Sequence, residues 1–279
     1  MAPSETASRT VEDGGTGPFK ALMVSDKTLA THTIFRPKDL SVFGDGNKLP
    51  IVAWGNGACA NSPWEHVNFL SEVASHGFLV IAIGPMPSEG QRGGAGGPTQ
   101  SSMMTDAINW AIAQNNDQSS QYFHKLDTNK IAAAGMSCGG LQALEVAPDP
   151  RVSTAMICNS GVLGNPGQGM PGMPGLTKQD LAKLHTPMIY ILGGEKDIAY
   201  NNGMDDFRRI NHLPIVAANL NVGHGGTYSK PHGGEFAKVA TAWLQWQLKD
   251  DKQAALLFVG NPGGLAKMEG WKVEKKNIP

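Results

Sequence analysis

The sequence predicts an α/β fold built on one mostly parallel sheet with helices on both faces. Three observations carry this. From about residue 50 onward, short β-rich runs alternate with stretches of helical spacing, the pattern of repeated strand–helix units. The strand-length runs are apolar almost throughout, as in Phe78-Leu79-Val80-Ile81-Ala82-Ile83, which suits strands covered on both faces. The chain has 279 residues, 41% of them hydrophobic, enough for one large α/β domain.

Taken in order, residues 1–18 are polar and small and are expected to form a flexible segment, leaving 19–279 as a single domain. Ala21–Val24 and Thr31–Phe35 read as an antiparallel pair, a common opening for such a sheet. Leu49–Trp54 reads as a buried strand. Trp64–Ser75 has apolar residues at helical spacing and stops at His76-Gly77. Phe78–Ile83 is the next strand. Thr99–Gln114 reads as a helix with Met103, Ala107, Ile108 and Ala111 near one face. Lys130–Ala134 is a strand that runs into a glycine-rich turn and a helix to about Val146. Val152–Cys158, Pro187–Leu192 and Pro214–Leu220 read as three more strands, and Phe236–Leu248 as an amphipathic helix. Low complexity is confined to two loops, Gly90–Gly97 and Gly164–Gly175. The second follows a strand, where open α/β sheets bind ligands, so its Met170 and Met173 are candidate substrate contacts; the plainer reading is an ordinary irregular connection.

The formal net charge is -1, so no basic field exists to attract nucleic acid or an anionic membrane. No apolar run reaches the roughly 20 residues of a membrane span, which argues against integral membrane association. No histidine pair has metal-ligand spacing, and no metal or organic cofactor is expected. The three cysteines leave the compartment open. The first residues do not read as a signal peptide, so a cytoplasmic location stays open too. Nothing in the sequence fixes the oligomeric state.

The glycine-rich turn reads Gly135-Met136-Ser137-Cys138-Gly139-Gly140. It follows a strand and precedes a helix, the setting in which G-x-S-x-G holds a serine hydroxyl above the sheet edge. The plainer reading is a serine helix cap with glycines for close packing. Partners in the right chain order favour a nucleophile. A serine hydroxyl needs a base to remove its proton, and a histidine base needs a carboxylate to hold its tautomer. Ile189–Leu192 runs into Gly193-Gly194-Glu195-Lys196-Asp197, and Asn219–Val222 into Gly223-His224. Asp197 and His224 thus stand just past two successive strands, with Glu195 the rival acid and His232 the rival base.

An oxyanion hole uses the N–H after the nucleophile, that of Cys138, and one from the loop after an earlier strand. That loop is Gly55-Asn56-Gly57-Ala58-Cys59-Ala60, with Ala58 or Cys59 as donor. Its Gly-x-Gly-x-x-Ala pattern also raises a nucleotide-cofactor reading, but the next strand ends Ile83-Gly84-Pro85-Met86, without the acid a ribose needs.

With these motifs on the page, the chain resembles the α/β-hydrolase superfamily. More narrowly it resembles the dienelactone-hydrolase-like and polyesterase–lipase–cutinase group, which includes bacterial cutinases and polyester hydrolases. The resemblance rests on Gly55–Cys59, Ala74-Ser75-His76-Gly77-Phe78-Leu79-Val80-Ile81, Gly135–Gly140 and Asp197-Ile198-Ala199. It implies an α/β-hydrolase fold, Ser137 as nucleophile, Asp197 as acid, His224 as base and Cys59 as the first oxyanion donor. Family members often place aromatic residues at the position of Cys59 and after the strand that follows the nucleophile helix. Here Cys59 and Asn159-Ser160-Gly161 stand there, making Ala58, Asn159 and Ser160 further candidate substrate contacts. The expected activity is serine carboxylic-ester hydrolysis on small acyl or aryl, cell-wall or short polyester substrates. The alternative from another class is a binding protein that keeps the fold without catalysis. Two oxyanion donors must lie close together, so Cys59 and Cys138 are expected to fall within disulfide reach. Such a bond would leave Cys158 as a buried thiol and imply secretion; the plainer reading is two free, small, mostly buried thiols.

Overall fold

The computed structural model describes residues 4–94, 96–164 and 169–279. Strand β1 (Glu5–Arg9) pairs antiparallel with β2 (Ala21–Asp26), and β2 with β3 (His32–Pro37). Strands β4 (Leu49–Gly55), β5 (Leu79–Ile83), β6 (Leu126–Met136), β7 (Val152–Cys158), β8 (Met188–Leu192) and β9 (Ile215–Leu220) pair in parallel. β10 (Trp271–Lys276) closes the far edge antiparallel to β9. The full order is β1-β2-β3-β5-β4-β6-β7-β8-β9-β10 in one sheet. The helices are α1 (Val67–Ser75), α2 (Ser102–Asn116), α3 (Cys138–Val146), α4 (Tyr200–Arg209), α5 (Gly234–Lys249) and the short α6 (Lys252–Ala255). This is the mostly parallel α/β sheet expected from the strand–helix alternation, in the α/β-hydrolase arrangement that the resemblance implies.

The sheet separates two cores. Ile51 and Ala53 of β4 face one with residues of α2, α3 and α4, among them Ile108, Leu144 and Phe207. Val52 and Trp54 face the other with Phe69 and Val73 of α1 and Phe236, Trp243 and Leu248 of α5. Every residue of β4, β5 and β8 is buried, which explains their unbroken apolar runs.

The N-terminal expectation is corrected. Residues 1–3 lie outside the described residues, but Glu5–Arg9 form β1 rather than a flexible segment. Burial of one carboxylate explains why a polar stretch orders. Glu5 meets Arg36 at 2.7 Å with both side chains almost fully buried. Further on, the Thr16 N–H donates to Glu72 Oε2 at 2.8 Å and the Gly17 N–H to Ser75 Oγ at 3.0 Å. Parts of both low-complexity loops, Ala95 and residues 165–168, also lie outside the described residues.

The crossing of β4 and α3 is tight enough to dictate sequence. A Cβ on Gly139 would lie 2.0 Å from the carbonyl carbon of Gly55, and one on Gly135 2.1 Å from the Gly139 oxygen. Backbone on both sides leaves nothing flexible to yield. Gly139→Ala is therefore expected to cost about 3 kcal/mol and to lower Tm by roughly 6–12 °C. A thermal melt checks this, and an unchanged Tm would contradict the packing.

Candidate active site

The glycine turn after β6 ends in strained backbone at Ser137, whose φ is 53° and ψ -117°. A non-glycine residue holds such angles only when its surroundings impose them. Here they do. The Ser137 N–H donates to the Cys158 carbonyl at 2.9 Å, and Ser160 Oγ–H to the Ser137 carbonyl at 2.7 Å. Ser137 stands half-buried at the start of α3.

β8 and β9 end beside this turn and deliver the other two groups. His224 Nε2 accepts from Ser137 Oγ–H at 3.0 Å, and His224 Nδ1–H donates to Asp197 Oδ1 at 2.6 Å. The Asp197 side chain is fully buried, while His224 is about a quarter exposed. Burial alone would raise the Asp197 carboxyl. Hydrogen bonds from His224, the N–H groups of Gly193 and Ala199, and the Asn159 amide outweigh it and hold the group below the usual carboxylate value. Asp197 is therefore an ionised partner that keeps His224 oriented with Nε2 toward the serine.

The rivals stand apart. Glu195 is exposed. His232 faces Glu12 at 3.3 Å and Asp13 and Glu72 at 3.7 Å, in a cluster around the N-terminal segment. The loop after β4 serves α3 rather than a phosphate. Added Cβ atoms at Gly55 and Gly57 would meet Gly139 Cα and Met136 Sδ at 2.8 Å each.

Cys59 and Cys138 form a disulfide with their Cα atoms 5.1 Å apart. Both are buried, and Cys158 is the remaining free thiol, which burial pushes up to about 12. In the first turn of α3 the Gly139 N–H donates to the Asn56 carbonyl, and the N–H groups of Gly140 and Leu141 to that of Ser137. The Cys138 N–H precedes all three.

A pocket of about 100 Å³ opens beside the serine. It is lined by Ser137 and His224, by Leu141, Leu163, Met173, Ile198 and Ala199, and by Asn159, Ser160, Gly161 and Asn202. Of the candidate contacts, Asn159, Ser160 and Met173 border it, yet Asn159 and Ser160 are themselves buried and spend their polar groups on Asp197 and Ser137. Ala58 and Met170 are exposed outside its lining. Gly172 presses against the disulfide, since a Cβ there would lie 3.1 Å from Cys59 Cβ.

Sequence reasoning missed Asp206, a buried residue of α4. Its carboxylate accepts from the Val162 N–H at 2.7 Å, from Tyr190 OH at 3.1 Å and from Lys178 Nζ at 2.6 Å. Burial raises it to about 6, with the Lys178 charge and these hydrogen bonds working against the rise. The missed signal was the polar stretch Tyr200–Arg209, which carries only four buried positions, Gly203, Met204, Asp206 and Phe207.

Among the described residues, no group of three or more His, Cys, Asp or Glu side chains is arranged to hold a metal ion. A family model described as PETase: PET hydrolase-like matches residues 33–269. No curated protein matches the chain.

Proposed function

The chain belongs to the PET hydrolase-like family, and on that premise we propose that it is a serine carboxylic-ester hydrolase working through an acyl-enzyme. The observation that carries the reading is His224, set between Ser137 at 3.0 Å and Asp197 at 2.6 Å. Ser137 Oγ attacks the ester carbonyl as His224 Nε2 takes its proton. The tetrahedral oxyanion is held by the N–H groups of Cys59 and Cys138. Its collapse expels the alcohol, which leaves with the proton from His224. Water then attacks the acyl-serine with His224 again as base, and the acid is released with Ser137 restored.

The pocket of about 100 Å³ falls below the roughly 300–1,000 Å³ of sites for drug-sized ligands. It supports small acyl or aryl groups, or single residues of a polyester chain, as the part bound at the serine. The disulfide supports secretion into an oxidising compartment. Among the described residues no helix is long and apolar enough to cross a membrane.

A fluorophosphonate probe is expected to label Ser137 and no other serine, and a panel of esters of graded acyl length to be cleaved. An unlabelled protein without activity on any ester would end the proposal. A second expectation concerns pH. His224 must be neutral to take the serine proton, so kcat/KM falls on the acid side. Asp197 does not supply that limb, because its hydrogen bonds keep it ionised below the usual carboxylate range. A rate on a stable ester that stayed flat down to about pH 4 would exclude a histidine base.

A further inference from the structure

We propose that Asn159 and Tyr228 act as a positioning relay that sets the Asp197 carboxylate for His224; this rests on the acid and base roles assigned above. Asn159 stands at the end of β7, where its backbone N–H donates to the Ile191 carbonyl at 2.8 Å. Its φ is 43°, a left-handed conformation that asparagine tolerates better than most residues. That conformation directs the side chain between the loops that carry Asp197 and His224.

The amide makes contact with both. Asn159 Nδ2–H donates to Asp197 Oδ2 at 2.7 Å and to the carbonyl of Gly223, the residue before His224, at 3.3 Å. Among the described residues it is the one side chain besides His224 of the four donors on this carboxylate, the others being the backbone N–H groups of Gly193 and Ala199. Asp197 has no solvent of its own. Each oxygen depends on these donors for its charge and its rotation.

An asparagine amide has two faces, and only one suits a carboxylate. Turned over, it would point Oδ1 at Asp197 and replace a bond with a repulsion. Tyr228 decides the face, because its hydroxyl donates to Asn159 Oδ1 at 2.5 Å. Tyr228 is in turn held by edge contacts with His66, Phe69 and Phe236, with ring centroids 5.0, 5.2 and 5.5 Å apart. Tyr228 also lies four residues after His224. The relay therefore runs from the base loop, through the amide, to the acid, and closes on the backbone beside the base.

The test is the pH dependence of p-nitrophenyl acetate hydrolysis by Asn159→Ala and Tyr228→Phe. The second variant removes one hydroxyl and keeps the ring, so its folding is protected. Asn159→Ala is expected to lower kcat on the order of 10²-fold, the scale of a misplaced catalytic group, with KM little changed. Tyr228→Phe is expected to lower it about tenfold, the loss of one hydrogen bond in this setting. In Asn159→Ala, which takes one donor from the carboxylate, the acid limb moves to higher pH. A carboxylate with one donor fewer concentrates its charge and favours the imidazolium. In an Asp197→Ala background the Asn159 change should cost nothing further, because there is no acid left to position. Wild-type kcat and acid limb in both variants would overturn the relay, as would a full additive loss in the Asp197→Ala background. Either result leaves the serine reading standing, since that reading is tested separately, by fluorophosphonate labelling and by the activity of Ser137→Ala.

Discussion

Replacing Ser137 with alanine is expected to remove nearly all ester hydrolysis while leaving Tm close to that of the parent protein. Alanine keeps the Cβ and loses only Oγ. The strained turn is imposed by backbone bonds and by Ser160, which grips the Ser137 carbonyl rather than its side chain. What disappears is the atom 3.0 Å from His224 Nε2, and with it the proposed acyl-enzyme. The proposed oxyanion donors and the pocket remain, so the residual rate should sit on the order of 10³-fold or more below the parent. Initial rates on a p-nitrophenyl ester measure this, with circular dichroism as the folding control. A variant with half the parent rate would dismantle the assignment of the nucleophile.

The second large effect belongs to the disulfide. Cys59 and Cys138 are 79 positions apart, and a cross-link over a loop of that length stabilises by about 4 kcal/mol in the chain-entropy account. The Cys59→Ala/Cys138→Ala protein is expected to melt roughly 8–16 °C lower. It should also lose activity by about tenfold. The bond joins the two residues whose N–H groups are proposed to hold the oxyanion, and a donor free to drift loses part of the 10²–10³-fold that a fixed one contributes. Peptide mapping without reduction should recover the two cysteines as one linked species and Cys158 as a thiol. Recovery of both as free thiols from the native protein would remove the bond and the argument for secretion. Equal Tm and kcat in the two proteins would remove its mechanical role.

The parallel strands were legible because burial on both faces leaves a continuous apolar run, and β7 spans the Val152–Cys158 expected of it. The two edge strands were not. β1 and β10 bury only part of their residues, so their polar positions broke the pattern a central strand would show. Helix α4 escaped for a similar reason, with Gly203 inside it and four buried positions in ten. At the site, Ser137, Asp197 and His224 could be singled out because each follows a strand end, and parallel strand ends share one edge of the sheet. Asn159 could be seen only as a polar residue after a strand. Its partners lie 38 and 69 positions away, and no local spacing encodes which way an amide faces once the loops converge. Asp206 is the same case, since its contacts with Val162 and Lys178 are made across 44 and 28 positions.

The Asp206 contacts also bear on how such a protein changes over time. One carboxylate holds Val162 and Lys178, the two stems of the stretch from Leu163 to Thr177, and it belongs to neither. The length of such a connection is cheap to change, since each doubling of a closed loop adds only about 0.6 kcal/mol, while Gly172 within it is fixed by its packing against Cys59. The same span supplies Leu163 and Met173 to the pocket. Part of the pocket wall is thus carried apart from the strand ends that bear Ser137, Asp197 and His224. Strand ends and a cross-linked turn hold the proposed hydrolytic groups, while Leu163 and Met173 reach the pocket from a connection whose length is open to drift in a lineage or to grafting in the laboratory.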